Sequence, residues 1–204
     1  MPRNASDRAR RAPLCLALAL AMLPAAHAAA LSTSFEAGQP MPPAGAGGPL
    51  SLRVGPGPAD PYAAKAGVGY SGQRALQYRS TGGTARQVLL ATDQQIDADT
   101  TLSWMVLPEI VDGDTAASTH VSLDLLLDDG QRVSASAARD QHGVALGATA
   151  QGDSKTLYPQ QWARKAVRLG EVPGLRGRRV VAIELEVASA AGAPVSGWID
   201  DVRL

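Results

Sequence analysis

The stretch Gly197-Trp198-Ile199-Asp200-Asp201-Val202-Arg203-Leu204 reads as a β-strand that closes a sheet. It sets an aromatic and an aliphatic residue beside two adjacent carboxylates, then returns to alternating apolar positions. A period of two marks a strand with one buried and one wet face. The same period recurs upstream. Leu76 and Tyr78 alternate with Gln77 and Arg79, and Leu102, Trp104 and Val106 with Thr101, Ser103 and Met105. Val121, Leu123, Leu125 and Leu127 form one face of a further strand, with His120, Ser122 and Asp124 on the wet one. Val181, Ile183, Leu185 and Val187 oppose Glu184 and Glu186 in the same way. One-sided strands of this kind belong in antiparallel sheets.

Turn signals separate them. Asp128-Asp129-Gly130 is a hairpin turn in which glycine supplies the positive φ. Asp112-Gly113-Asp114, Gln151-Gly152-Asp153 and Pro173-Gly174 mark further loops. From Gly38 to Pro61 the prolines 40, 42, 43, 49, 56, 58 and 61 forbid a helix, which leaves a connector with one short edge strand, Leu50 to Val54. No window keeps a helical period over three turns. Tyr158 to Trp162 is expected to make a single turn before a strand from Ala166 to Leu169. Strands at a spacing of roughly ten residues predict an all-β, two-sheet antiparallel sandwich of jelly-roll type.

The N-terminus reads as an export signal. Arg3, Arg8, Arg10 and Arg11 precede an apolar run from Leu14 to Leu23, and Ala26-His27-Ala28 supplies the small-x-small cleavage pattern. The expected organisation is a signal peptide over 1–28 and one sandwich domain over 29–204, in periplasm or medium. The apolar run falls short of the about 20 residues that a membrane span needs. Past residue 28 the chain has fifteen Lys and Arg against eighteen Asp and Glu, a net charge of −3. With no basic block, nucleic acid is an unsuitable partner. Cys15, the one cysteine, falls inside the signal, so the domain is expected to have neither disulfide nor zinc-thiolate site.

Catalytic chemistry is hard to find. His120 sits on a strand and His142 in the loop Arg139 to Gly143, too little for a zinc site. There is no Gly-x-Ser-x-Gly elbow and no phosphate-cradling loop. A cation site is the better candidate. Ser32-Thr33-Ser34-Phe35-Glu36 reads as a short strand ending in a carboxylate. A sandwich that joins the two ends of the domain would bring Glu36 beside Asp200, with loop carbonyls completing the hard-oxygen shell of Ca2+. The other reading leaves both carboxylates in solvent. Asp201 should point away from Asp200 by strand alternation, unless a bulge intervenes. Sugars are usually held by exposed aromatic rings with amides and charges around them. Trp104 and Trp198 lie in apolar phase and read as core. Tyr158 and Trp162 flank a loop, and with Asp112, Asp140 and His142 they form the candidate ligand-binding set.

Several segments, in order, resemble one family. Ser34-Phe35-Glu36, Tyr70-Ser71-Gly72-Gln73-Arg74-Ala75-Leu76, Leu102-Ser103-Trp104 with Pro108-Glu109, and Asp140-Gln141-His142-Gly143 come first. Leu157-Tyr158-Pro159-Gln160-Gln161-Trp162, Lys165-Ala166-Val167-Arg168-Leu169-Gly170 and the closing strand follow. Together they are similar to the galactose-binding-like β-sandwich at the front of bacterial glycoside hydrolase family 92 α-mannosidases. The resemblance implies that fold, an accessory role near glycan or a glycoside hydrolase catalytic protein, and a structural Ca2+ at Glu36 and Asp200. No segment here is similar to the catalytic region that follows the sandwich in those enzymes, so no catalytic residue carries over. The expectation is a non-catalytic carbohydrate-binding module. A structural or protein-interaction sandwich that binds no sugar is the second reading.

Overall fold

The structure, a computed structural model, describes residues 30–43, 48–113, 115 and 117–204. The expected signal segment lies outside the described residues. In chain order the strands are β1 (Ser32–Thr33), β2 (Leu50–Gly55), β3 (Ala75–Ser80), β4 (Ala85–Gln95), β5 (Thr101–Glu109), β6 (Val121–Leu127), β7 (Ala163–Arg168), β8 (Arg179–Val187) and β9 (Val195–Arg203). One sheet runs β2-β3-β9-β5-β7, with β1 also on β9; the other runs β4-β8-β6. Every pairing is antiparallel. From β3 to β9 each connection crosses between the sheets, so neighbours in sequence face each other across the core. The antiparallel two-sheet sandwich anticipated from the alternation is the observed architecture.

The two ends of the domain meet as expected. Ser32 pairs with Arg203 and Thr33 with Val202. Leu31 and Leu204 exchange both backbone hydrogen bonds, at 3.0 and 2.9 Å. The proline-rich connector contributes β2, which lies at the sheet edge where unpaired backbone tolerates proline neighbours. Between the sheets, Phe35, Leu76, Tyr78, Trp104, Leu123, Leu125, Ile183, Leu185 and Ile199 pack into one core. Each such side chain contributes about 1.5–3 kcal/mol by leaving water.

The expected wet faces are covered. Ser122 and Asp124 on β6, and Glu184 and Glu186 on β8, are all buried. Residues 128–157 fold over that face, including the short helix α1 (Ala148–Asp153) that the helical-period test does not detect. The buried carboxylates are satisfied there. Asp124 accepts from the amides of Leu125 and Ser134 and from Ser134 Oγ. Glu184 accepts from Arg132, and Glu186 from Arg86 and the Ala148 amide. Val181 is a second correction. Register shifts at the start of β8 turn Val180 into the core in its place. β7 begins at Ala163, earlier than expected.

Trp198 is a third. It alternates with the core residue Ile199 and so faces outward. There it packs with Ala75 and Leu107 in a separate apolar cluster, with Trp162 against it. Its Nε1 donates to Glu109 Oε1 at 2.7 Å, and Ser196 Oγ donates to the other oxygen of Glu109. Met105 and Ser103 on β5 are buried on the same outer side.

Candidate functional site: an aromatic hollow on a carboxylate-held loop

Asp200 shares the outer face with Trp198 and meets the segment 69–74. Two residues of β9, Asp201 and Val202, stand opposite the single residue Trp104, because Ser103 pairs with Arg203 and Met105 with Asp200. This is a β-bulge, and it re-aims the side chains beside it. Asp201 takes the left-handed conformation, φ 47°. Strict alternation is broken, and both carboxylates reach Ser71: its amide donates to Asp200 Oδ2 at 2.9 Å and its hydroxyl to Asp201 Oδ1 at 2.7 Å. Glu36 grips the same segment from β1's side, accepting the amides of Gln73 and Arg74 at 2.7 and 2.8 Å.

Three carboxylates thus hold one short loop, and the loop is cut to fit them. A Cβ on Gly72, at φ +84°, would lie 2.5 Å from Glu36 Oε1, and one on Gly69 would lie 2.8 Å from Asp200 Oδ2. Asp200 is fully buried. No Lys or Arg pairs with it among the described residues. Burial pushes its carboxyl up to about 6, against the opposing pull of the Ser71 and Asp201 amides. A buried carboxylate lacking a counter-charge, beside a second carboxylate and backbone oxygens, suits a hard cation. Among the described residues, no three His, Cys, Asp or Glu side chains converge to hold a metal, so carbonyls and water would complete any shell.

Above this loop lies an open hollow of about 490 Å³. Tyr62, Tyr70 and Trp162 line it, with Lys65, Gln73 and Gln161 between them. Tyr62 is 68% exposed and Tyr70 53%. Tyr70 meets Trp162 edge to face, with ring centroids 5.9 Å apart. Two loops build the wall. Residues 58–67 form a closed excursion in which the Gly67 amide donates to Pro58 O. The turn before β7 clamps it: the Tyr62 amide donates to Gln160 O, and Gln160 Nε2 to Asp60 O. The Gln160 amide in turn donates to Pro108 O at the end of β5. The rings are therefore presented by loops tied to the sheet.

A second hollow, of about 700 Å³, lies on the other side of that turn. It is lined by Asp60, Arg79, Glu109, Ile110, Asp112 and Gln160, among others, and has no aromatic ring.

No protein-family model matches the chain, and no curated protein matches it.

The five side chains expected to bind ligand do not converge. Trp162 lines the aromatic hollow and Asp112 the larger one. Tyr158 stands 60% exposed on the intervening turn and lines neither. His142 is exposed on a tight turn closed by the Gly143 amide donating to Asp140 O. Asp140 is buried beneath it as a structural anion. Its Oδ2 pairs with Lys165 Nζ at 2.9 Å and accepts from Gln151, and its Oδ1 accepts the amides of His142 and Val144. Burial alone would raise the Asp140 carboxyl, but Lys165 and the two amides outweigh it and hold it below its ordinary value. Lys165, equally buried, also donates to Thr156 Oγ1. Tyr62 and Tyr70 join Trp162 in the hollow and lie outside the candidate set that the sequence pattern marks. Their one legible signal is that they flank glycine-rich turns, where an aromatic has little core to join.

Proposed function

We propose that this chain is a non-catalytic glycan-binding module, exported from the cell, that works beside a glycoside hydrolase. The observation that carries the reading is the trio Tyr62, Tyr70 and Trp162 around one open hollow, with amides between the rings. Aromatic faces take up the apolar faces of pyranose rings, and Gln73 and Gln161 offer donors and acceptors to the hydroxyls. Monomeric domains seldom leave such rings clustered and wet without a ligand. The resemblance to the front sandwich of family 92 α-mannosidases agrees in kind and suggests mannose-containing chains as one ligand. Ca2+ held through Glu36 and Asp200 would neutralise the buried carboxylate and fix the loop that presents Tyr70.

A glycan array of the purified chain tests this. Saturable binding that is lost in Tyr70→Ala and Trp162→Ala, with unchanged thermal midpoints, supports it. Silence across the array removes it. Ile110, 43% exposed in the larger hollow, favours the second reading, a protein-docking sandwich. That reading predicts co-purification with a hydrolase partner that is lost in Ile110→Asp.

A further inference from the structure

The charges of this domain are sorted between its hollows. The larger one carries Asp60, Glu109 and Asp112 against Arg79. The aromatic one has Lys65 as the single charged residue in its lining. Tyr70 also walls a third, small hollow of about 160 Å³, whose lining includes Ser103, Arg164, Asp201 and Arg203. Both hollows that Tyr70 lines therefore hold cations, in a chain that is net acidic past residue 28.

These cations are mostly uncommitted. Neither Lys65 nor Arg164 has an ion-pair partner among the described residues. Arg203 approaches Asp201 at 3.5 Å, and Asp201 also accepts from Ser71 Oγ. Glu36 and Asp200, the other nearby anions, accept backbone amides of the loop. Among the side chains that line the two hollows at Tyr70, the charged ones are therefore three cations, Lys65, Arg164 and Arg203, and one partly engaged carboxylate, Asp201.

Resting on the glycan-binding reading, we infer that the ligand is an acidic glycan, a chain containing uronic-acid residues. A pyranose ring lies against Tyr70 and Trp162, and its carboxylate meets Lys65 on one side or Arg164 and Arg203 on the other. Guanidinium groups suit carboxylates because their paired N–H donors match the two oxygens. Nucleic acid shares the anion and the stacking, but the overall acidity and the few cations disfavour it.

Calorimetric titration of the full chain with oligogalacturonate and oligomannuronate tests the inference. The controls are the same oligomers with carboxylates reduced to primary alcohols, and a single-stranded oligonucleotide. The acidic oligomer should bind at least about tenfold tighter than its reduced form, and the preference should shrink as salt rises past the Debye regime of about 0.1 M. Lys65→Gln with Arg164→Gln should cut that preference at least about threefold, since Arg203 alone remains, without moving the thermal midpoint. Equal affinity for the reduced oligomer overturns the acidic-glycan inference and leaves glycan binding standing. A preference that the double substitution leaves undiminished also overturns it, as does an oligonucleotide binding as tightly. Failure to bind either oligomer, with array silence, ends both readings.

Discussion

The pH dependence of stability in wild type and in Asp200→Asn isolates the buried carboxylate under the loop. Burial raises Asp200 from 3.8 to about 6. At about 1.36 kcal/mol per unit, that shift is worth roughly 3 kcal/mol. The folded state holds the proton more tightly than the unfolded chain does. Its contribution is therefore fully present below 3.8 and is lost as the pH rises through about 6. A domain of this size moves by about 2–4 °C per kcal/mol, so the loss amounts to roughly 6–12 °C in Tm. Asn at this position cannot titrate. In chelator, the wild-type Tm minus the variant Tm should fall by that amount between about pH 4 and about pH 7.5. A bound cation favours the ionised carboxylate, so saturating calcium should abolish the fall. Differential scanning calorimetry reads both. A difference that stays flat across pH in chelator refutes the burial argument. A fall that calcium leaves untouched refutes the cation at Glu36 and Asp200.

Two further perturbations test the frame around the site. Asp140→Ala leaves the Lys165 ammonium buried without its counter-charge and strands the amides of His142 and Val144, so it should cost about 3–5 kcal/mol in urea unfolding. Lys165→Met leaves Asp140 its amide donors and should cost less; the reverse order would contradict the assignment. Gly72→Ala and Gly130→Ala impose the same kind of backbone strain, at φ +84° and +82°, but only Gly72 has a neighbour, Glu36, in the way. Gly72→Ala should be the more destabilising by about 1–3 kcal/mol, and equal melting shifts would show that Glu36 does not press on the loop.

The alternation of apolar residues made the sandwich legible, because Leu102, Trp104 and Val106 or Leu123 and Leu125 can share a face only in strands. The same alternation misassigned the faces of Ser122, Asp124, Glu184 and Glu186. Their polarity reflects hydrogen bonds to a covering segment, not solvent, and pattern alone does not separate the two. The helix α1 spans six residues, too few to show a period. The meeting of Glu36 and Asp200 on one loop followed from pairing the two ends of the domain. That Asp201 joins them depends on the bulge opposite Trp104, which leaves no pattern in sequence. The aromatic hollow was half legible. Trp162 stood out beside its loop, whereas Tyr62 and Tyr70 come from a distant connector that reaches the hollow only through the Gln160 clamp.

Tryptophan fluorescence tests glycan binding at this hollow most directly. Trp104 and Trp198 are buried, and Trp162 is the one tryptophan open to a ligand there. Titration with a bound glycan should give a saturable change in emission that disappears in Trp162→Phe. Saturable binding that leaves the Trp162 emission unmoved would place the ligand elsewhere and contradict the account.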